Sequence, residues 1–409
     1  MKDKTIVLGV TGGIAAYKAA LLASLLTKRG ARVITVMTKG ATRFITPLTL
    51  QSLTHLPVYT DIFDERDPSR ITHIDLADSA DLVVIAPATA DFIARAAHGM
   101  ADDLLSALLL ATTAPVVFAP AMNVHMYGHP IVLRNLQTLR EAGYHVAEPG
   151  EGPLACGYTG KGRLMEPEDI VEFMEMVLTP KRLHGMRVLV SAGPTRERID
   201  PVRYLSNDST GTMGYALAQA AWRMGATVTL VSGPVGIKPP VGVEVVSVES
   251  AGEMRTAVLG VANDQDAVIM AAAVADYRPA LVSERKLKKG EGGRTLELIK
   301  NPDILAELCQ SSNQRAYVVG FAAETHDAEF YAQKKLREKG ADMLVLNNVL
   351  EPGAGFGAGT NRVTVFFADG DTVAVQRQPK LGVASEILAL VAERLLRRRE
   401  RKDALDPDA

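Results

Sequence analysis

Two short runs of aliphatic and β-branched residues, each followed by a glycine and then by a helical pattern, constrain the fold of this chain most strongly. The first run is Thr5–Val10, and the second occupies positions 187–191. A strand, a glycine turn, a helix and a further strand, in this order, are typical of the first unit of a doubly wound parallel sheet. The sequence therefore predicts an α/β fold with two Rossmann-like parallel-sheet domains.

The length of the chain is compatible with this interpretation. It has 409 residues, whereas one domain usually has about 100–200. The polar segment 179–185, which contains Pro180, is the predicted linker. We therefore expect a first domain over 1–185 and a second over 186–409, which are not repeats of one another.

Composition argues against several kinds of partner. The net charge of −2 predicts neither nucleic-acid binding nor attraction to a membrane surface. The most apolar stretch, 104–122, contains Pro115 and Pro120 and predicts a buried helix followed by a strand rather than a membrane span. The N-terminal residues predict a strand instead of a signal peptide. Two cysteines, Cys156 and Cys309, cannot build a disulfide framework, so we expect a cytoplasmic protein.

The glycine pair after the first strand indicates a phosphate site. Gly12 and Gly13 stand at a strand-to-helix junction, where the backbone can approach an anion and the helix start supplies N–H donors. The pair is not the spaced three-glycine fingerprint of dinucleotide sites, and Thr38 stands after the second strand, where a ribose-binding acidic residue would be expected. A threonine hydroxyl there suits a mononucleotide phosphate. A tight turn without a ligand is the alternative.

Three further side chains of the first half have chemistry that could serve catalysis. His73 lies among apolar neighbours, where a histidine is more often a core residue, but an imidazole in a cleft can act as a base near neutral pH. Asn123 follows a strand end, where an amide can donate to a carboxylate, although a turn asparagine is the alternative. Cys156 lies in a glycine-rich, basic-flanked loop that cannot hold a packed core, which favours a chemical role such as proton donation.

Two segments of the second half could bind phosphates. Residues 207–212 lead through hydroxyl side chains and Gly211 into a helix start, and such a start either binds an anion or is simply a helix cap. Residues 286–293 combine Lys286 and two further lysines with loop glycines. A lysine loop of this kind can close over a triphosphate, whereas a charged loop that faces solvent is the alternative.

The motifs of the first half, taken in order, resemble the homo-oligomeric flavin-containing cysteine decarboxylases. They are the Gly12-Gly13 turn, His73, the loop 87–89, the segment 120–126 around Asn123, and the loop 155–163 around Cys156. The resemblance implies a flavodoxin-like fold, FMN as cofactor, His73 as base, Asn123 as the residue that grips the substrate, and Cys156 as proton donor on a flap. The reaction would oxidise the carbon bearing sulfur, release CO₂ and then reduce the product. The implied FMN-binding residues are Gly12, Gly13, Ile14, Thr38, Pro87, Ala88 and Thr89.

The second half is similar to phosphopantothenate–cysteine ligases in the segments 271–277, 301–305 and 320–325. In bacterial bifunctional enzymes this activity follows the decarboxylase, as it would here. The resemblance implies that CTP activates the carboxylate of 4′-phosphopantothenate, with Mg²⁺ offsetting the triphosphate charge, before the amine of cysteine attacks. Arg203 and Asn207 would bind phosphopantothenate and its acyl-cytidylate, and Asn207 and Lys286 would be catalytic. The implied CTP-binding residues are Met270, Ala271, Ala272, Asp276, Lys286, Pro302, Asp303, Ile304, Leu305, Phe321, Lys335 and Lys339.

One position departs from the ligase pattern, because Gly359 stands where the family often has an aspartate. Any role of that carboxylate is either dispensable here or supplied elsewhere.

Two other functions remain open from the motifs alone. A flavoprotein regulatory subunit without turnover is one, although the intact His73, Asn123 and Cys156 argue against it. An NAD(P)-dependent dehydrogenase is the other, although neither glycine loop has the dinucleotide pattern. The resemblance further implies a homo-oligomer, with trimeric flavin domains gathered into a dodecamer, paired ligase domains, and a decarboxylase site that a neighbouring subunit completes.

Overall fold

In the computed structural model, the apolar run Thr5–Val10 forms the first strand of a six-stranded sheet. This sheet belongs to one of two units into which the chain divides, Met1–Thr179 and Pro180–Ala409. The division lies at the start of the segment predicted as the linker. The structure describes residues 1–63, 71–154, 157–289, 293, 295–311, 316–324, 328–348 and 359–405.

The first unit has helices on both faces of its sheet, because its central strands are apolar on both sides. Every residue of Leu82–Ala88 is buried, and so is every residue of Thr5–Val10 after the first. The strands are β1 Thr5–Val10, β2 Arg32–Met37, β3 Val58–Tyr59, β4 Leu82–Ala88, β5 Val116–Pro120, β6 His145–Val146, β7 Gly150–Pro153 and β8 Thr159–Arg163. The helices are α1 Tyr17–Lys28, α2 Pro47–Thr54, α3 Thr72–Ser79, α4 Ala90–Ala97, α5 Leu104–Ala111, α6 Val124–Tyr127, α7 Pro130–Glu141 and α8 Pro167–Leu178.

The order of the strands confirms the predicted doubly wound fold. It is β3-β2-β1-β4-β5-β6, with every pair parallel. Without the two-residue edge strand β3, this is the order of flavodoxin-like sheets, and the connection changes direction between β1 and β4. Ligands of such sheets bind outside the carboxyl ends of the strands at that point. The antiparallel hairpin of β7 and β8 was not predicted, and residues 155 and 156 between its strands lie outside the described residues.

The second unit repeats the architecture with a longer sheet. Its strands are β9 Arg187–Ala192, β10 Arg196–Arg198, β11 Tyr204–Ser206, β12 Thr227–Ser232, β13 Glu244–Ser247, β14 Ala267–Met270, β15 Tyr277–Pro279, β16 Leu298–Lys300, β17 Tyr317–Glu324, β18 Met343–Asn348, β19 Thr360–Phe367 and β20 Thr372–Pro379. Its helices are α9 Thr212–Arg223, α10 Ala251–Ala262, α11 Ile304–Gln310, α12 Ala328–Lys339 and α13 Lys380–Leu405. Among the described helices of the chain, none is both long and apolar enough to cross a membrane.

The main sheet of the second unit has the order β13-β12-β9-β14-β17-β18-β19-β20. Its first six strands are parallel and in the Rossmann order, with the change of direction between β9 and β14, while β19 and β20 add an antiparallel edge. The helices α9 and α13 cover one face, and α10, α11 and α12 cover the other. Two small antiparallel pairs, β10 with β11 and β15 with β16, lie outside this sheet.

Two candidate active sites

A cavity of about 1120 Å³ lies at the carboxyl edge of the first sheet. Its lining comes from the segments that follow β1, β2, β4 and β5, which meet where parallel strands end. This volume suffices for a ligand of the size of a mononucleotide, since small-molecule sites usually measure about 300–1,000 Å³. From the predicted set, the cavity is lined by Gly12, Gly13, Ile14, Thr38, Thr89 and Asn123.

Two loops meet at the base of this cavity without side chains between them. A Cβ added to Gly12 would lie 2.8 Å from the carbonyl carbon of Gly40 in the loop after β2. The second loop is turned by Thr38, whose Oγ1 accepts from the Ala41 N–H at 3.3 Å. Only glycine permits such an approach, so this edge presents backbone to a ligand, as a phosphate or a planar ring requires.

Pro87 and Ala88 are connected to the glycine turn through hydrogen bonds of Thr11. They form the buried end of β4, where the sequence predicted a loop. Thr11 Oγ1 donates to the Pro87 carbonyl oxygen at 2.7 Å and accepts from the Thr89 N–H at 3.0 Å. Thr11 therefore ties the end of β4 to the turn after β1.

Lys18 is a cavity-lining residue that sequence reasoning missed. It is only 6% exposed, and its Nζ donates to both carboxylate oxygens of Glu166 at 2.9 Å. Arg163, which also lines the cavity, pairs with the same carboxylate at 3.1 Å. The signal was the helical spacing, because Lys18 lies one turn before Leu22 and two turns before Leu26, on the buried side of α1.

A second charged group on the cavity wall is internally balanced. Arg95 pairs with Asp91 at 3.1 Å and with Asp102 at 2.8 Å. Burial alone would lower the pKa of Arg95, but Asp91, Asp102 and Asp103 outweigh it and raise that pKa. Asp103 also caps α5 by accepting from the Ser106 N–H at 2.8 Å. The positive charge of Arg95 is therefore balanced by neighbouring carboxylates of the same unit.

Asn123 is fixed between a strand end and the hairpin. Its Oδ1 accepts from the His125 N–H at 2.8 Å and caps the short helix α6. At the other end of α6, the Tyr127 hydroxyl donates to Glu148 at 2.7 Å, and Lys161 of β8 pairs with the same carboxylate at 2.6 Å. Burial and the hydrogen bond to Glu148 raise the pKa of Tyr127. The asparagine therefore has a defined position on the cavity wall.

His73 is not brought to this cavity within one chain. It lies in the first turn of α3, half-buried, and does not line the cavity among the described residues. Its Nδ1 is buried and has no hydrogen-bond partner among those residues. The neighbouring Ile71 and Ile74 are 58% and 39% exposed. The sequence-predicted proton donor Cys156 lies outside the described residues.

In the second unit, several predicted segments converge where β9 and β14 end. Asn207 Nδ2 donates to the carbonyl oxygens of Ala273 and Val274 at 3.2 and 3.1 Å. The Ala273 N–H donates to the carbonyl of Gly193 at 2.9 Å. The side chain of Asn301 donates to the carbonyl of Ala275 at 2.8 Å. The segment 271–275 is thus held from three sides at the point where a doubly wound sheet binds its ligand.

The start of α9 is part of the same edge. Its N-cap is Gly211, with φ 76° and no side-chain cap, so the predicted hydroxyl cap is not formed. A Cβ on Gly211 would lie 3.2 Å from the Cα of Gly193 and 2.7 Å from the side chain of Val235. Both the positive φ and the close approach favour glycine, which leaves the first N–H groups of α9 without a side-chain cap.

Four of the predicted CTP residues form a second cluster in this unit. Lys335 Nζ donates to the carbonyl of Phe321 at 3.3 Å, and Lys339 forms an ion pair with Asp303. Asp303 also caps α11 by accepting from the Ala306 N–H at 2.9 Å. Burial would raise the pKa of Asp303, but the hydrogen bonds from Lys339 and Ala306 and the charges of the lysines outweigh it and lower that pKa.

The remaining predicted ligase residues have mixed positions. The side chains of Met270, Ile304 and Leu305 are buried in the core, so only their backbones could meet a ligand. Ala271 and Ala272 directly follow β14, and Asp276 and Lys286 are exposed. Pro302 lines a cavity of about 900 Å³ beside the pairs β10–β11 and β15–β16.

Two observations concern the implied Mg²⁺ and the position of Gly359, where the ligase family often has an aspartate. No group of three His, Cys, Asp or Glu side chains within the described part of the chain could hold a metal ion. At Gly359, an added Cβ would meet no atom of the described residues within 4 Å. Packing against that part of the chain therefore does not require glycine.

Known proteins match this chain over nearly its whole length. Residues 1–179 match the family model described as Flavoprotein, and residues 183–395 match the DNA/pantothenate metabolism flavoprotein C-terminal domain. The coenzyme A biosynthesis bifunctional protein CoaBC of Bacillus subtilis is 53% identical over 96% of this chain and 97% of its own length. The protein of that name from Escherichia coli K12 is 46% identical over 93% of this chain and 95% of its own. The crystal structure of a CoaBC C-terminal domain, 43% identical, covers 53% of this chain and 98% of that domain with a TM-score of 0.46.

Proposed function

The chain belongs to the family of bifunctional coenzyme A biosynthesis proteins, and from this premise we propose that its first unit is the decarboxylase and its second unit the ligase. Enzymes of this family join phosphopantothenate to cysteine and decarboxylate the resulting phosphopantothenoylcysteine. The observation that carries this assignment is that each unit has several of its own predicted residues at the strand-order switch of its own sheet: Gly12, Thr38 and Asn123 in the first unit, and Asn207 with the segment 271–275 in the second.

The cavity of the first unit fits a flavin mononucleotide. The close contact of Gly12 with Gly40 presents backbone rather than side chains at this edge of the cavity, and Thr38 adds a hydroxyl there. When bound, FMN supplies the redox chemistry that lets an N-acylated cysteine lose CO₂. The residues predicted to hold it are Gly12, Gly13, Ile14, Thr38 and Thr89, with Pro87 and Ala88 acting through Thr11.

The chain's own groups then handle binding and proton traffic in the first unit. Asn123, on the cavity wall, would bind the carboxylate or amide of the substrate, because an amide can both donate and accept. Cys156 is the proposed proton donor to the decarboxylated product, and His73 the proposed base. The cavity wall formed by Asn123 and the β7–β8 hairpin would keep water from the reacting carbon.

We infer that His73 serves the cavity of a neighbouring subunit. In its own chain it does not line the cavity, whereas exposed apolar side chains lie beside it, at Ile71 and Ile74, and beside the cavity, at Ile14 and Tyr17. Apolar exposure on both sides is what a self-associating surface requires. A trimer of flavin units is the assembly that we propose.

Co-expression of His73→Gln and Asn123→Asp chains tests this inference. If the site is shared, mixed oligomers regain decarboxylation that neither variant has alone, because some sites combine an intact Asn123 with an intact His73. A co-expressed preparation with no more activity than the separate variants, or a fully active monomer in sedimentation, would contradict it. Mixing the finished homo-oligomers without exchange is the control.

For the second unit we propose the ligation. Lys335 and Lys339, with Lys286 from its exposed loop, would stabilise the triphosphate of CTP, and Mg²⁺ arriving with the nucleotide would offset its charge. The uncapped start of α9 and Arg203 would bind the anionic phosphopantothenate. Asn207 donates hydrogen bonds to two carbonyl oxygens of the segment 271–275, and it would orient the carboxylate that becomes the mixed anhydride.

The experiment that tests the proposed function is a reaction of the purified enzyme with 4′-phosphopantothenate, cysteine, CTP and Mg²⁺, read by mass spectrometry. We expect 4′-phosphopantetheine from the wild type. Cys156→Ser is expected to make phosphopantothenoylcysteine at the normal rate but to stop before the final reduced product. A chain that binds flavin but forms neither product would instead be a regulatory flavoprotein, and bound-flavin absorbance separates both from a nicotinamide-dependent dehydrogenase.

A further inference from the structure

Asp200, a residue to which no role has yet been assigned, collects five hydrogen bonds on one carboxylate. Its Oδ1 accepts from the backbone N–H groups of Val202 and Arg203, both at 2.9 Å. Its Oδ2 accepts from Arg203 Nε at 3.0 Å and from Arg203 Nη2, and also from the Leu287 N–H at 3.1 Å. Its side chain is fully buried. The first oxygen thus shapes a local turn, while the second connects two segments that are distant in sequence.

Arg203 also binds the backbone of Leu287. Its Nη2 donates to the carbonyl oxygen of Leu287 at 2.9 Å, so the N–H and the C=O of Leu287 are held by the two members of one ion pair. A second anchor lies nearby, where the Ser283 N–H donates to the carbonyl of Ile199 at 3.0 Å. The segment 283–287 is therefore fixed at both ends, and Lys286 lies between the anchors.

We propose that Asp200 is a positioning residue of the ligase, which holds the lysine loop so that Lys286 meets CTP and which couples that loop to Arg203. This inference rests on the proposed ligase function. It goes beyond it by linking the arginine assigned to phosphopantothenate and the lysine assigned to the nucleotide through one carboxylate.

Electrostatics favour such an anchor. Residues 285–289 carry four cationic side chains, of Arg285, Lys286, Lys288 and Lys289, which repel one another and favour an open loop before a triphosphate arrives. Hydrogen bonds from Arg203, from Val202 and from Leu287 outweigh burial and lower the pKa of Asp200, so the carboxylate stays ionised near neutral pH. A charged acceptor makes stronger hydrogen bonds to the loop than a neutral one would.

The test uses Asp200→Asn in the full-length enzyme. The amide oxygen can still accept from the backbone N–H groups of Val202 and Arg203, but the NH₂ group can accept neither from the Leu287 N–H nor from the guanidinium of Arg203. We expect kcat/KM for CTP to fall by about tenfold to a hundredfold, the range for misplacing a binding group by about 1 Å, while decarboxylation of added phosphopantothenoylcysteine is unchanged. Trypsin should also cut after Arg285, Lys286 or Lys288 faster than in the wild type, because the loop has lost its anchor. Asp264→Asn, at an exposed turn, is the matched control.

A double-mutant cycle separates positioning from a general loss of structure. If Asp200 acts through the loop, Asp200→Asn adds little to Lys286→Ala, whereas independent roles would give multiplied losses. Wild-type kcat/KM for CTP and wild-type proteolysis in Asp200→Asn would overturn the proposal. Absence of ligation in the wild type would overturn the proposed function instead.

A second variant decides the matter if Asp200→Asn fails to fold. Leu287→Pro removes the loop's N–H donor together with the leucine side chain and restricts φ, whereas Leu287→Ala removes the side chain and keeps the N–H. We expect the proline variant alone to lose CTP affinity and gain proteolysis. Equal behaviour of the two variants would contradict the proposal.

Discussion

Replacing Asn123 by aspartate is expected to abolish decarboxylation while leaving cysteine ligation intact. The substitution preserves the local fold, because an aspartate oxygen can accept the His125 N–H that now caps α6. It removes the amide donor and places a negative charge on the cavity wall, where we propose that the substrate carboxylate binds. Loss of one oriented donor at a reacting centre costs about a hundredfold to a thousandfold in rate, and like-charge repulsion adds to that loss.

The measurement is a mass-spectrometric time course from 4′-phosphopantothenate, cysteine and CTP. Phosphopantothenoylcysteine should accumulate at the wild-type ligation rate, and 4′-phosphopantetheine should not appear. The second unit thus serves as the internal control for folding and concentration. A variant that still decarboxylates at the wild-type rate would show that Asn123 is a capping residue only. Retained flavin absorbance would show that the cavity itself has survived.

The outline of both folds could be predicted because parallel strands buried on two faces leave a strong signal. The run at β1 has the predicted bounds, and the run predicted over 187–191 is one residue shorter than β9. The hairpin strands Gly150–Pro153 and Thr159–Arg163 were missed because they contain glycines and charges without alternation. The antiparallel strand Thr360–Phe367 was also missed, although its first residues alternate in burial, because this part of the sequence was interpreted only through the family motif that contains Gly359.

The residues of the candidate sites could be predicted only where a polar side chain or a glycine directly follows the end of a strand. Asn123 and the glycine loop stand directly after β5 and β1, so topology alone placed them on one edge. Contacts that define the rest join distant segments: Lys18 and Glu166 are 148 residues apart, and Asp200 and Leu287 are 87 apart. No local sequence pattern predicts hydrogen bonds between residues that are so far apart in the chain. His73 shows the converse case, in which a motif residue does not reach the cavity of its own chain.

Replacing Asn207 by aspartate is expected to abolish ligation while leaving decarboxylation intact. The Asn207 amide now donates to the carbonyl oxygens of Ala273 and Val274. An aspartate would set a carboxylate oxygen against two carbonyl oxygens, and the repulsion would displace the segment after β14, where we propose that the substrate carboxylate is activated. Because misplacing a reacting group by about 1 Å can cost a hundredfold in rate, we expect at least that loss in phosphopantothenoylcysteine formation.

Two readouts identify the step at which Asn207 acts, with decarboxylation of added phosphopantothenoylcysteine as the internal control. Loss of pyrophosphate release from CTP would place the amide in carboxylate activation. Retained pyrophosphate release without the cysteine product would place it in the attack of the amine on the mixed anhydride. Wild-type ligation by Asn207→Asp would contradict both roles and leave Asn207 as a turn residue. The two asparagine variants thus test the two units against each other, since each should lose only the activity of the unit in which it lies.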